Sequence, residues 1–311
     1  GITTTGSTIL SDIKSMPEGI LLWRGLLQWI GGVGIIVMAI SILPVLQVGG
    51  MQVFRTESSD TTEKILPRTA QVSFAVIIIY LSLTVLCFIS YWLSGMRLFE
   101  SLVHSMTTIA TGGFSTRNDS FASFDNRSTE YVAILFMILS SLPILIYLEV
   151  TRNGLKSFFR DTQIKTFLII LFVSSLLVIS YLWIFDLKNF EQSLRHGAFN
   201  VVSIITGTGY TSDNYNLWGP FPIYLLFFGM FIGGCAGSTT CGIKVFRFQI
   251  LFETLKMQIQ KLLHPHGVFV PHYNHRKVQD EVTSSVMSFF FIFILSFITI
   301  TLFLSMTELD F

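Results

Sequence analysis

The sequence predicts an all-α polytopic membrane protein assembled from repeated units, and three observations carry that expectation. Of 311 residues only 13% are charged while 51% are hydrophobic, 30 of them Phe. Mean hydropathy is +0.64. An average soluble chain carries about twice that share of charge, so too little polar surface remains here to cover a globule. Six apolar stretches, at about 19–48, 69–94, 130–150, 164–186, 220–247 and 281–306, are each long enough to cross a membrane, which takes about 20 residues of helix. A Thr/Gly motif also recurs along the chain at an interval near 100 residues, the mark of an internal repeat.

Charge narrows the function. Twenty Lys and Arg against nineteen Asp and Glu leave +1, no excess with which to neutralise phosphates, so a nucleic-acid partner is not expected. The low polar content argues equally against a soluble enzyme. Cys87, Cys235 and Cys241 have neither disulfide-framework nor zinc spacing and read as reduced and structural. The chain opens without Met and without a signal-peptide pattern, which reads as an internal stretch of a longer protein.

The loops between the spans alternate in charge. The stretches 51–70, 151–166 and 243–281 hold 13 Lys or Arg, whereas Arg97, Arg117, Arg127, Lys188 and Arg195 are the 5 in the remaining connections. By the positive-inside rule the first set faces the cytoplasm. On the opposite side, 97–115 and 188–212 each contain an apolar stretch too short to cross, ending in Thr and Gly. Both read as re-entrant half-helices.

The repeat carries the chemistry. Ile109-Ala110-Thr111-Gly112-Gly113-Phe114-Ser115-Thr116 aligns with Ile205-Thr206-Gly207-Thr208-Gly209-Tyr210-Thr211-Ser212, and Ile2-Thr3-Thr4-Thr5-Gly6-Ser7-Thr8 fits the same frame. Anchored on Gly6, Gly113 and Gly209, the copies lie 107 and 96 residues apart. A half-helix entering the membrane ends with partly negative carbonyls near mid-depth. The irregular backbone that follows is tolerated there only if it is buried in protein or lines a water-filled path. Rings of backbone carbonyls can replace the hydration shell of a monovalent cation. The expected ion ligands are the carbonyls of Thr4, Thr5, Gly6, Thr111, Gly112, Gly113, Gly207, Thr208 and Gly209. Surrounding an ion takes four such segments, and at the observed interval a fourth would fall near or past Phe311.

The fifth span is interrupted by Gly233-Gly234-Cys235-Ala236-Gly237-Ser238-Thr239-Thr240-Cys241-Gly242. So many small residues make a poor helix and line a cavity or form a hinge. Set below the carbonyl segments, this run would act as a gate. Lys244 and Arg247 just after it read as cations snorkelling to the interface, with a role in holding the gate shut as the sharper alternative. His104 and His196 lie on the half-helices and read as supports of the filter rather than proton carriers. His264-Pro265-His266, with His272 and His275 beyond, reads as a cytoplasmic turn and docking surface rather than a metal site. No catalytic constellation, phosphate-binding loop or organic-cofactor motif is present, and the chain is not expected to be an enzyme.

Together these motifs, with Trp23-Arg24 and Gln28-Trp29-Ile30-Gly31-Gly32, resemble the bacterial TrkH/TrkG potassium-uptake family within the Trk/Ktr/HKT superfamily, over essentially the whole chain. The Cys-Ala-Gly-Ser-Thr form of the loop points to the TrkH branch. The resemblance implies membrane–pore-helix–membrane units around a pseudo-fourfold cation pathway and a gate in the third repeat. It implies potassium as the substrate, with no cofactor of the chain's own. It further implies a homodimer in the bacterial inner membrane and a cytosolic TrkA-like nucleotide-binding regulator. Gly at the first filter, Gly6, is the potassium-type choice. On this frame 1–50 closes repeat one, 69–150 is repeat two and 164–262 repeat three. Residues 263–280 form a cytoplasmic loop and 281–311 open repeat four.

Overall fold

A computed structural model describes residues 1–8, 10, 12–41, 69–124, 126–274 and 276–306. The expected loop at 51–70 and the end of the first apolar stretch fall almost entirely outside them. The chain divides into two compact units, Gly1–Ile40 with Arg68–Val245, and Ser41–Pro67 with Phe246–Phe311.

The first unit begins with irregular chain and then α1 (Glu18–Ser41). Next come α2 (Thr69–Leu93) and the shorter α3 (Leu98–Ile109). The pair α4 (Arg127–Ser140) and α5 (Ile144–Asn153) follows. After it α6 (Thr162–Ile184), α7 (Phe190–Ile205) and α8 (Pro220–Gly229) repeat the order long, short, interrupted. Helices α1, α2 and α6 are long and apolar enough to cross a membrane. Phe74, Ile78, Val85 and Trp92 on α2, and Ile169, Phe172 and Leu176 on α6, are exposed. Apolar faces of this size fit lipid, not water.

Each long helix lies along the half-helix that follows it, α2 on α3 and α6 on α7, while α4 packs against α7. The buried core runs through these contacts, with Phe121, Met137, Phe167, Phe199 and Tyr210 withdrawn from solvent. The turns at the helix starts are locally encoded. Asn126, Asp161 and Asn189 accept hydrogen bonds from Ser128 N, Gln163 N and Gln192 N and so cap α4, α6 and α7.

Two of the expected spans are not single helices. The third, 130–150, is bent by 87° between α4 and α5. Pro143 stands at the bend, where it offers no N–H and disfavours helix at Leu142. The fifth stops at Gly229, four residues before the predicted break at Gly233. There Gly233 N bonds to Ile243 O at 2.9 Å and Ile243 N to Phe231 O at 2.9 Å. Pairing Ile232 with Ile243 closes the intervening residues into a compact loop.

The second unit holds α9 (Val245–Leu263), a hairpin of β1 (His272–Tyr273) and β2 (Arg276–Lys277), and α10 (Asp280–Ser305). In the antiparallel hairpin His272 faces Lys277 and Tyr273 faces Arg276. Phe246, Ile250, Tyr273, Val278, Val282 and Val286 are buried. Arg247, expected to snorkel, is instead 7% exposed, with its guanidinium 3.8 Å from the Phe289 ring. Cation–π contact replaces the water it gave up. Most of α10 beyond Val286 shows exposed apolar side chains, among them Phe291, Leu295 and Phe303, and its composition suits a membrane span.

Candidate functional site: three glycine-threonine segments and the loop against them

The first unit gathers all three motif copies. Segment two, Thr111–Gly113, leaves the C-terminus of α3, and segment three, Gly207–Gly209, leaves that of α7. Their first turns are alike. Thr111 N bonds to Thr108 O and Gly112 N to Thr107 O; Gly207 N bonds to Ile204 O and Thr208 N to Ser203 O, all between 2.8 and 3.0 Å. This is a Schellman close, in which the residue after the cap adopts a left-handed conformation. Segment one, Thr4–Gly6, starts the same way, with Thr4 N on Gly1 O at 2.9 Å.

In each segment the first and third residues have positive φ and the second does not. Thr4 and Gly6 are at 54° and 78°, Thr111 and Gly113 at 48° and 75°, Gly207 and Gly209 at 70° and 80°. A β-branched residue in that region is a genuine outlier, so Thr4 and Thr111 hold strain of about 1–2 kcal/mol each that the surrounding contacts offset. The third positions explain themselves sterically. A Cβ on Gly6 would come within 2.6 Å of Gly112 O, and one on Gly113 would collide with Thr208 O. The segments therefore lie side by side in the order one, two, three, with the middle carbonyls of segments two and three against Gly6 and Gly113.

Polar side chains back this arrangement. His104 is fully buried, its Nδ1 2.8 Å from Glu100 O and its Nε2 3.1 Å from Ser115 Oγ. At the matching place in the next repeat, 96 residues on, Asn200 Nδ2 donates to Ser212 Oγ at 3.0 Å, and His196 Nδ1 lies 3.0 Å from the same oxygen. Tyr210 reaches across repeats, its hydroxyl 2.5 Å from Thr107 Oγ1 on α3, while Ser203 Oγ donates to Tyr210 O at 2.7 Å. On α7, Arg195 is ion-paired with buried Glu130 of α4.

Beyond segment three, Lys188 Nζ lies 2.8 Å from Asp213 Oδ2, and Trp218 Nε1 donates to the same oxygen at 2.7 Å. Burial pushes the Asp213 carboxyl up, but hydrogen bonds from Lys188 and Trp218 and the Lys188 charge outweigh it, leaving the pKa below 3.8. A depressed carboxylate stabilises the fold above its unfolded value, and that contribution is lost as pH falls through the lower folded one. Acidification below the ordinary carboxylate range is expected to expose Trp218, now 2% exposed. The check is a red shift in tryptophan emission that is missing from Trp218→Phe and absent as a pH-dependent step from Asp213→Asn.

The loop of the fifth span meets the segments directly. Thr239 Oγ1 is 3.0 Å from Ile109 O at the end of α3 and 3.2 Å from Ser140 O at the end of α4. The Cys241 thiol lies 3.9 Å from Gly207 O. The bend of the third span receives the loop: Cys235 N bonds to Ser141 O at 3.0 Å and Ile144 N to Gly237 O at 2.9 Å. Gly234 N bonds to Thr240 Oγ1 at 3.0 Å, and Ala236 N to the buried Gln163 Oε1 at 2.7 Å. Ser238 Oγ donates to Cys235 O at 2.6 Å. Gly233 passes so close to Cys241 O that a side chain would not fit, and Gly242 closes the loop at φ 78°. Lys244 bonds to Thr240 O and, at 2.9 Å, to Thr240 Oγ1. Of the gate-adjacent cations, Lys244 therefore joins the loop, whereas Arg247 belongs to the second unit.

Sequence reasoning missed three of these features. The bend was signalled by Ser140-Ser141-Leu142-Pro143 within an apolar run. The Arg195–Glu130 pair is hidden because Arg195 reads from the sequence as a loop cation. Gln28 drew notice only as part of a family motif, although an uncharged polar residue on an apolar helix invites a search for its partner. Among the described residues, no cluster of three or more His, Cys, Asp and Glu is arranged to hold a metal.

Long apolar helices, half-helices and carbonyl-rich segments at their ends define a polytopic membrane protein of the transporter and channel class. The chain belongs to the TrkH family of cation transport proteins, whose family model matches residues 1–311. It is 43% identical over its whole length to the Trk system potassium uptake protein TrkI of Halomonas elongata, covering 63% of that protein. It is 35% identical to the Trk system potassium uptake protein TrkH of Escherichia coli, covering 65% of it. The crystal structure of the potassium transporter TrkH from Vibrio parahaemolyticus superposes with a TM-score of 0.90 at 33% identity, over 99% of this chain and 64% of that one. The chain thus spans a little under two thirds of these relatives.

Proposed function

We propose that the protein takes up potassium across the bacterial inner membrane through a filter of backbone carbonyls. The single observation that carries this reading is the shared backbone of Thr4–Gly6, Thr111–Gly113 and Gly207–Gly209, with left-handed first and third residues in every copy. Alternation of that kind turns successive carbonyls to one side, where they substitute for a cation's water shell. The partial negative ends of α3 and α7 add to the attraction. Potassium is cargo, bound at those nine residues in the completed ring. The names of the relatives, which carry the words potassium uptake, support the choice of ion.

Gly233 to Gly242 form the gate in this reading, with Lys244 holding Thr240 in place. Repeats two and three follow 69–150 and 164–262, the protein pairs as a homodimer, and a cytosolic TrkA-like nucleotide-binding subunit regulates opening. The loop's bonds to Ile109 and Ser140 make a specific prediction. Thr239→Val keeps the shape and removes the donor, a loss of about 1 kcal/mol. Basal rubidium uptake is expected to rise about fivefold; unchanged uptake in well-folded protein would argue against the loop as a gate.

The deciding experiment is rubidium-86 uptake into liposomes holding the full-length protein, with potassium or sodium as competitor. Potassium is expected to block uptake far better than sodium. Equal competition would leave a pore without potassium selectivity. Absence of flux, even with a cytosolic regulator and nucleotide supplied, would mark a scaffold rather than a transporter.

A further inference from the structure

We infer that Gln28 is a positioning residue for the filter, and that its carboxamide helps set the preference for potassium over sodium; the inference rests on the pore reading above. Gln28 is fully buried on α1, where an unpartnered amide would be costly. Its partners are both backbone atoms, one in segment two and one just after it. Nε2 donates to Gly112 O at 2.5 Å, and Oε1 accepts from Phe114 N at 3.2 Å. The amide thus meets the strand as a neighbouring strand would, one donor and one acceptor spaced to fit a carbonyl and the N–H two residues on.

Two further contacts show that α1 is built to grip this part of the chain. Arg24, one turn earlier, lays its guanidinium 4.1 Å from the Phe114 ring and donates to Thr8 Oγ1 at 2.7 Å, just past segment one. Gly112 has no room for a side chain, because a Cβ there would run into the Gln28 amide. The middle glycine of segment two, where segments one and three carry threonine, therefore follows from Gln28.

The two segments at half-helix ends are pinned differently. Segment three is held from its own half-helix by Ser203, which donates to Tyr210 O and accepts from Gly209 N through its carbonyl. The equivalent residue in repeat two, 96 positions earlier, is Thr107. Its hydroxyl is engaged with Val103 O, His104 O and Tyr210. Segment two is held from α1 instead, by Gln28 at Gly112 O and Phe114 N. Gln28 fixes the Gly112 carbonyl, which in turn lies against Gly6 of segment one. A filter discriminates between two cations through the number and placement of its dipoles, so loosening this carbonyl should blur the choice without closing the path.

The test uses the full-length protein in liposomes and reads the ratio by which potassium outcompetes sodium for rubidium-86 entry. Gln28→Met fills the same space without donor or acceptor, removes both hydrogen bonds, and is expected to lower that ratio about tenfold. Total uptake should persist and the detergent-solubilised protein should stay monodisperse. Gln28→Glu provides a second arm independent of packing. A neutral carboxyl reproduces the amide's donor and acceptor, whereas a carboxylate turns a second acceptor on Gly112 O. Its ratio is expected to fall as pH rises from about 6 to about 9 relative to wild type at each pH. A folded Met variant with the wild-type ratio overturns the inference, as does a Glu variant whose relative ratio is flat with pH. A wild type that does not discriminate at all overturns instead the pore reading beneath it.

Discussion

Gly113→Ser is expected to reduce the preference for potassium over sodium by roughly tenfold or more, measured as competition against rubidium-86 entry in liposomes holding the full-length protein. Two costs converge at this position. The residue sits at φ 75°, where a side chain costs about 1–2 kcal/mol. Its Cβ would also strike Thr208 O of the neighbouring segment, so that carbonyl must turn away from its place. Gly34 on α1 provides the control: no atom lies within 4 Å of a Cβ built there. Gly34→Ala is expected to leave the ratio unchanged and to gain up to about 1 kcal/mol of helix stability. If Gly113→Ser retained both flux and wild-type discrimination, segment two could not be lining the filter.

Arg195→Met is expected to destabilise the protein by about 3–5 kcal/mol, read as a lower midpoint in thermal unfolding of the detergent-solubilised protein. The side chains of Arg195 and Glu130 are 10% and 3% exposed. Removing the cation leaves a carboxylate at a buried site with less charge to balance it, and this costs far more than a surface pair would. The pair fastens α7 to α4, so the half-helix that delivers segment three is anchored through it. Combining Glu130→Gln with Arg195→Met removes both charges and is expected to restore most of the loss. A double variant no more stable than Arg195→Met would show that packing, not charge, was being measured.

The parts of the fold legible in sequence are those written in composition and period. The apolar lengths of α1, α2, α6 and α10 and the shorter α3 and α7 could be read directly, because the hydrocarbon thickness fixes how long a spanning helix must be. The Thr/Gly segments were legible as a repeat, and glycine at 6, 113 and 209 pointed to unusual backbone. What the sequence hid is relational. Thr4 and Thr111 adopt left-handed backbone against their own preference, which only the surrounding contacts can impose. The bend at Pro143 looks wasteful until the loop from Cys235 to Thr239 is seen to occupy it. Arg195 had the residue type of a loop cation, and only the approach of α4 to α7 turned it into half of a buried pair. Gln28 could be suspected from its polarity, but its two partners lie 84 and 86 residues away in sequence.

The hydroxyl of Thr239 has one proton, and two carbonyls stand within its reach. A single O–H donates fully to one acceptor at a time, so whenever Ile109 is served, Ser140 goes without, and the reverse holds a moment later. The loop is thus never fastened at both ends by this residue. Turning that one bond trades Ile109 for Ser140, while the loop's backbone stays tied to Ser141, Ile144 and Gln163. On the gate reading proposed above, Thr239 is therefore the fastening that can change hands while the rest of the loop stays moored.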